Sequence, residues 1–221
     1  MKKVLLSAVA LVAFTFANAQ EESKGFGFAK GDVLVEGNLA FGSSKSTDSF
    51  NGTDLEETKT SNFTFTPKVG YFVTDKLAVG AELGVGSGKQ EVTDFVANTN
   101  TENKGNSFGA GVFARYYFLD LGQRFKTYAE AGVGFGSTKW EQDGQEIQKD
   151  NSFSLGIDLG INYFVTERFA ISFGLNNVLG YSSTKSEFPG GGETKENNFG
   201  GNLNTFDNFF DTPSFGLTWK F

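Results

Sequence analysis

Apolar and polar residues alternate along most of the chain, and this alternation restricts the fold more than any other feature of the sequence. In the segment LAVGAELGV, every odd-numbered residue from Leu77 to Val85 is apolar, whereas Gly80, Glu82 and Gly84 lie between them. A period of two is typical of β-strands with one apolar face. The pattern predicts eight strands, at residues 31–43, 62–73, 77–88, 107–118, 125–138, 152–165, 168–182 and 209–221.

The connections between these strands alternate in length. Three are short turns, whereas four are long and rich in Ser, Thr, Asn, Gly and acidic residues, at residues 44–61, 89–106, 139–151 and 183–208. An up-and-down meander with short turns at one end and long loops at the other is typical of an outer-membrane barrel. We therefore predict an all-β fold, an eight-stranded antiparallel up-and-down transmembrane β-barrel. The alternative is a soluble sandwich with a Phe-rich core.

The apolar bands have the length that a membrane requires. The band from Phe63 to Val73 spans eleven residues, and a tilted strand needs roughly 9–11 residues to cross the hydrocarbon. Aromatic residues lie at both ends of such bands, for example Phe108 near a long loop and Tyr116 near a short turn. This placement predicts aromatic girdles at the two membrane interfaces.

The first residues have the pattern of a secretory signal peptide. Lys2 and Lys3 precede an apolar run that is too short to span a membrane, and Ala17-Asn18-Ala19 follows as a cleavage site. The predicted organisation is a signal peptide at 1–19, a short periplasmic N-terminal segment at 20–30 and an outer-membrane barrel at 31–221.

The composition excludes several classes of function. The chain contains no Cys and no His, so disulfides, thiolate ligands, histidine metal ligands and a histidine general base are all impossible. A net charge of −7 without a basic patch argues against nucleic acid as a partner. We therefore expect no enzymatic activity, no cofactor and no metal site.

The last predicted strand supports a family resemblance. It ends in TPSFGLTWKF, where apolar residues occupy one face up to a final aromatic residue. Over residues 31–221 the chain resembles the small eight-stranded outer-membrane barrels of the OmpA and OmpX type, without the peptidoglycan-binding domain of OmpA. The resemblance implies a monomer in the bacterial outer membrane, in contact with lipid and lipopolysaccharide. It also implies that the barrel assembly machinery reads a terminal signal formed by Phe215, Leu217, Trp219 and Phe221.

The inward face of the predicted strands carries the charged residues. They are Glu36, Lys68, Glu82, Arg115, Glu130 and Asp158. Because an eight-stranded barrel has little free interior, these charges are expected to pair and to plug the lumen. If Val73 lies opposite Leu77 across the short turn, Lys68 lies opposite Glu82.

The predicted role is structural or surface-interacting, in adhesion or envelope integrity, and the alternative is a narrow porin-like channel for ions or small solutes. A soluble lipocalin-like binder would need an apolar lumen, whereas the inward face here is polar. The long loops carry an excess of acidic residues, which suits a solvated face, a face bridged to lipopolysaccharide by divalent ions, or an unknown surface ligand. The aromatic residues of the last loop would contact a partner or pack on the barrel rim.

Two residues fit the predicted strands poorly. Pro67 falls in the middle of a strand, where it removes a ladder donor, so we expect a bulge or a local distortion there. Asn177 falls on the lipid-facing side of its strand. Either a bulge near Asn176 and Asn177 corrects the register, or Asn177 lies near the outer headgroups.

Overall fold

The computed structural model describes residues 25–201 and 213–221, and the part described is built from antiparallel β-strands. The strands are β1 (Val33–Phe50), β2 (Thr53–Phe72), β3 (Leu77–Asp94), β4 (Thr99–Leu121), β5 (Phe125–Gln142), β6 (Gln145–Phe164), β7 (Phe169–Glu187), β8 (Glu193–Gly200) and β9 (Pro213–Lys220). No helix among the described residues is long and apolar enough to cross a membrane. The predicted signal peptide and residues 209–212 of the last predicted strand lie outside the described residues.

The strands close into a ring. Each strand from β1 to β7 pairs with the next one along the chain, and β9 pairs with β7 on one side and with β1 on the other. β8 pairs with the outer part of β7, from Gly180 to Glu187. Together β8 and β9 occupy the place of one strand, so the ring has the eight positions that the sequence predicts.

Most strands continue well beyond their predicted ends, and the prediction of long loops was wrong for residues 44–61, 89–106 and 139–151 and for the part of the last loop up to residue 200. β1 runs to Phe50 and β2 begins at Thr53, so only Asn51 and Gly52 connect them, both with positive φ. Asp143 and Gly144 connect β5 and β6 in the same way. These dipeptides are favoured in two-residue hairpin turns, which need φ above zero at both positions. The described parts of the segments predicted as loops are therefore protruding two-stranded hairpins.

At the other end of the barrel, two turns repeat the same hydrogen bonds. The Thr74 hydroxyl accepts from the N–H of Leu77 at 3.0 Å, and the Thr166 hydroxyl accepts from the N–H of Phe169 at 3.0 Å. The turn sequences TDKL and TERF therefore position their strands by the same device.

The two faces of the wall have opposite character. Large apolar side chains are exposed on the outer face, including Phe41, Phe135 and Leu217. The buried residues of the inner face include Phe72 and Phe164 near the short turns, and charged residues beside them. Apolar residues face outward and charged residues face inward, which is the reverse of a soluble protein. This arrangement suits a wall between lipid and a filled lumen.

The two irregular positions differ in outcome. At Pro67 the pairing of β2 with β3 is interrupted. Phe65 and Lys68 pair with β3, whereas the two residues between them do not, and the register is the same on both sides. The result is a local gap rather than a bulge. Near Asn177 the register of β6 and β7 shifts between Ile157 and Leu159, and Asn177 has a φ of 56°. Of the two alternatives expected there, the structure shows the bulge.

Candidate functional site in the barrel lumen

Arg115 lies at the centre of the lumen and joins strands on opposite sides of it. Its Nη1 and Nη2 donate to Oε2 and Oε1 of Glu36 at 2.8 and 2.9 Å, and its Nε donates to Oε2 of Glu130 at 2.6 Å. The three side chains are almost completely buried, with 1% of Arg115 exposed. The planar guanidinium group thereby makes the two-pronged contact that holds carboxylates most firmly.

Lys68 extends this cluster toward the outer side. Lys68 lies directly opposite Glu82 in the register of β2 and β3. Its Nζ contacts Oε2 of Glu82 at 2.8 Å and also contacts Oε1 of Glu130. Glu130 therefore bridges the two cations, and five of the six predicted lumen charges form one connected network.

Polar residues complete the shell around Glu36. The hydroxyls of Ser172 and Thr218 donate to Glu36 Oε2 at 3.1 and 2.8 Å, and Asn38 Nδ2 donates to Oε1 at 2.9 Å. Asn162 Nδ2 donates to the Ser172 hydroxyl at 2.6 Å. Among the described residues, no buried side-chain polar atom lacks a hydrogen-bond partner. A buried charge is tolerated only with such complete pairing.

Aromatic rings flank the cations. The Arg115 guanidinium carbon lies 4.0 Å from the centre of the Tyr128 ring, and Lys68 Nζ lies 5.4 Å from the centre of the Phe113 ring. Gly160 makes space for Tyr128, because a Cβ at that position would come within 2.3 Å of the ring. These contacts add cation–π attraction and exclude water from the network.

The segment before β1 closes the lumen on the side of the short turns. The Phe28 ring stacks on Phe72 with ring centres 4.3 Å apart and lies 5.0 Å from Tyr117 and 5.3 Å from Phe164. Lys220 Nζ donates to the carbonyl of Gly27 at 2.7 Å, which holds the segment in place. The described part of the predicted N-terminal segment therefore packs against the barrel interior.

Asp158 lies apart from the ion pairs. Its Oδ1 accepts from the backbone N–H of Asn177 at 2.7 Å, so it caps the bulge of β7. Asp158, Glu82 and Glu130 line a cavity of about 410 Å³ above the network. Within residues 25–201 and 213–221, no cluster of three or more acidic side chains is arranged to hold a metal ion.

The four residues of the predicted assembly signal share the outer face of β9 and its end. Phe215, Leu217, Trp219 and Phe221 are between 43% and 57% exposed. The Trp219 ring centre lies 5.8 Å from that of Phe169. Backbone bonds of 2.9 and 3.0 Å join Phe221 to Val33 and complete the seam between the last and first strands.

Several lumen residues were missed in the sequence. Tyr117, Tyr128, Asn162, Ser172 and Thr218 occupy inward positions of their strands, so the alternation that located the charges also contains them. Their importance depends on distances across the lumen, which the alternation does not give. Phe28 lies before the first strand and carries no period-two signal.

The family model described as the outer membrane protein β-barrel domain matches residues 6–221. No curated protein sequence gives a match.

Outer-membrane proteins of similar length are among the solved structures that resemble this chain. Outer membrane protein OprG from Pseudomonas aeruginosa is 16% identical, with a TM-score of 0.49, over 88% of this chain and 98% of OprG. E. coli outer membrane protein W is 15% identical, with a TM-score of 0.43, over 87% of this chain and 99% of that protein. Neisserial surface protein A is 17% identical, with a TM-score of 0.40, over 87% of this chain and all of that protein.

Proposed function

The chain belongs to the outer membrane protein β-barrel family, and from this premise we propose that it is a non-enzymatic envelope protein with a charged plug in its lumen. It resides in the bacterial outer membrane. The proposed role is structural or surface-interacting, in envelope integrity or adhesion, and it needs no flow of solute through the barrel.

The contact of Arg115 with Glu36 and Glu130 carries this proposal. These residues lie on β4, β1 and β5, so the network crosses the lumen instead of following one wall. Below it, Phe28 and the aromatic residues around it form a second layer. A solute would have to break buried ion pairs and then displace this aromatic layer, and both steps are costly.

The protruding hairpins support the surface part of the role. β3 continues to Asp94 and β4 begins at Thr99, so both strands extend well beyond the aromatic residues of the outer girdle. Paired strands present a firmer surface than irregular loops, because their backbone hydrogen bonds are already made. We propose that any surface partner contacts these hairpins.

A channel for ions or small solutes is the second candidate. The cavity of about 410 Å³ above the network is the observation that favours it, since small inward residues such as Gly132, Gly134 and Ser154 leave space there. Under this alternative, ions would pass the network through transient openings around Lys68, whose partner Glu82 is 28% exposed on its side chain.

Conductance in planar lipid bilayers separates the two candidates. The plug predicts that wild-type protein gives small and infrequent current steps at most, and that Arg115→Met increases their frequency. Arg168→Met is a matched control, because Arg168 lies in the exposed turn before β7. Large and steady wild-type currents would instead establish the channel.

A further inference from the structure

The four outer hairpins repeat one pattern of side chains on their outer faces. The pattern begins at the aromatic girdle and rises in steps of two residues, and its first layer contains Phe41, Phe63, Val85, Phe108, Phe135, Phe153, Tyr181 and Phe199. The second layer contains only Ser and Asn: Ser43, Ser61, Ser87, Asn106, Ser137, Asn151, Ser183 and Asn197. The third contains only lysine: Lys45, Lys59, Lys89, Lys104, Lys139, Lys149, Lys185 and Lys195. We name these eight lysines the lysine collar.

The register places the lysines of each hairpin side by side. Lys45 lies opposite Lys59, Lys89 opposite Lys104, Lys139 opposite Lys149, and Lys185 opposite Lys195. Like charges directly opposite each other destabilise a strand pair. A hairpin selected only for its own stability would place opposite charges there, so the fourfold repetition calls for another cause.

The collar is nearly level from β1 to β8. From one hairpin to the next the register moves by two residues, so Lys59 lies opposite Glu91 and Lys104 lies opposite Glu141. Two residues correspond to about 7 Å along a strand. On strands tilted by about 40°, staying at one height over two interstrand spacings needs a shift of about 8 Å along the strand. The shift therefore compensates the tilt and keeps each layer at one height.

This height coincides with the lipid headgroups of the outer leaflet. The collar lies four residues beyond the girdle. That separation is about 13 Å along a strand, or about 10 Å along the membrane normal at that tilt. Headgroups occupy roughly 5–8 Å beyond the hydrocarbon core on each side. The Ser and Asn layer therefore lies among the headgroups, and the collar lies at their outer edge, within reach of flexible lysine side chains.

The collar is charged and accessible. Carboxylates contact its lysines from the next layer outward, for example Glu91 and Glu102 at 2.5 and 2.7 Å from Lys89 Nζ. Hydrogen bonds from Lys89 to Glu102 and Glu91 raise the pKa of Lys89 to about 12. Each ammonium group has three donors, and within the part of the chain that the structure describes at most two carboxylates contact any one of them. The side chains of the six collar lysines that form ion pairs with carboxylates remain between 39% and 57% exposed.

We propose that the lysine collar and the Ser and Asn layer bind the phosphate groups of lipopolysaccharide in the outer leaflet. The lysines attract the phosphates, and the hydroxyl and amide groups below them donate hydrogen bonds to the phosphates and to the sugars that carry them. The carboxylates hold the lysines from the side away from the membrane, so the side that faces the lipid is open. The collar thereby anchors the barrel to its own lipid and fixes its height in the membrane.

Lipid binding to the purified protein in a non-ionic detergent is the measurement that tests this proposal. Native mass spectrometry would measure the binding of bisphosphorylated lipid A, dephosphorylated lipid A and phosphatidylglycerol to wild-type protein. We expect lipid A to bind at least tenfold more tightly with its phosphates than without them, since each lysine near an anionic surface contributes about fivefold. Inorganic phosphate at millimolar concentration should not displace it. Equal binding with and without phosphates, binding of phosphatidylglycerol as tight as lipid A, or displacement by inorganic phosphate would each overturn the proposal.

Substitutions of the collar lysines test whether they cause the preference for phosphorylated lipid A. Replacing all eight lysines with Gln should reduce the preference for phosphorylated lipid A to less than twofold, whereas replacing all eight with Arg should preserve it. Lys30→Gln with Lys76→Gln, on the opposite side of the membrane, is a control that should leave it unchanged. A Gln variant that folds and retains the preference would overturn the proposal. If that variant fails to fold, the comparison of lipids on wild-type protein still decides.

Discussion

Arg115 and Glu36 form a two-pronged ion pair across the barrel lumen, although 79 residues separate them and their strands are not neighbours in the ring. The number of strands and their stagger set the diameter of a barrel, whereas a contact across the lumen resists flattening of the ring. The pair therefore restrains the cross-section of the barrel. It also orients Arg115 so that its Nε contacts Glu130.

Glu36→Gln should destabilise the barrel by ~3–5 kcal/mol, because it leaves the buried Arg115 without one of its two carboxylates. The urea midpoint of unfolding in detergent micelles would measure the change. Glu82→Gln is the matched control, and its effect should be smaller because Lys68 keeps Glu130 and Glu82 is partly exposed. Equal effects of the two substitutions would contradict a network centred on Arg115.

Part of this network follows from the sequence alone. The alternation places Lys68 and Glu82 on the inner face, and a three-residue turn sets them opposite each other. The contact of Arg115 with Glu36 could not be derived in this way, because it joins strands that share no ladder. It depends on the curvature of the closed ring and on the reach of a long side chain, and neither is expressed in a periodic pattern.

The outer hairpins were missed for a different reason. Alternation is visible in a sequence only where one face is apolar, and beyond the girdle both faces of β1 and β2 are polar. The remaining signal was the turn dipeptide, Asn51-Gly52 in one hairpin and Asp143-Gly144 in another. These two dipeptides identify turns, but the residues between each turn and the membrane have the polar composition of a loop.

Asp158→Ala should destabilise the bulge of β7 by ~1–3 kcal/mol, because the N–H of Asn177 loses its acceptor. Amide hydrogen exchange would show faster exchange at Asn177 and its neighbours. Asp158→Asn retains an acceptor oxygen and should remain closer to wild type. If the Asn and Ala variants exchange alike, the carboxylate is not what holds the bulge.

Phe28→Ser should open the lumen toward the short turns, because it removes the ring that covers Phe72 and Tyr117. The chain has no cysteine, so Ala78→Cys supplies a single thiol within the buried cluster that Phe28 covers. We expect a water-soluble maleimide to label this thiol slowly in the parent and at least tenfold faster with Phe28→Ser, since labelling follows local opening. Lys76→Cys, in the exposed turn, should be labelled at the same rate in both. An unchanged rate at position 78 would show that Phe28 does not seal the lumen.

Acid should loosen the outer hairpins before it affects the barrel. Hydrogen bonds from Lys104 and Lys89 lower the pKa of Glu102 in the folded hairpin. A lowered pKa means that the stabilisation is present above the unfolded pKa and is lost as the pH falls through the folded value. Because these pairs are exposed, the effect is small and confined to the hairpin. Below about pH 4, the protection of amides relative to their intrinsic exchange rate should fall in the outer part of β3 and β4 and stay constant near Arg115, and a uniform fall would contradict this.

Phe221→Ala should lower the fraction of chains that insert into the outer membrane. Phe221 continues the apolar outer row of β9, and its side chain is 43% exposed on the lipid side. The substitution leaves the backbone bonds to Val33 possible, so a loss of insertion would report recognition of the side chain or its burial at the interface. Phe41→Ala removes an equally large ring from the outer face of β1 and serves as the control. The ratio of folded to unfolded bands on unheated gels of membrane fractions measures insertion. If the terminal row is recognised, Phe221→Ala should lose more insertion than Phe41→Ala. Equal losses would show that Phe221 acts only as any lipid-facing aromatic residue does.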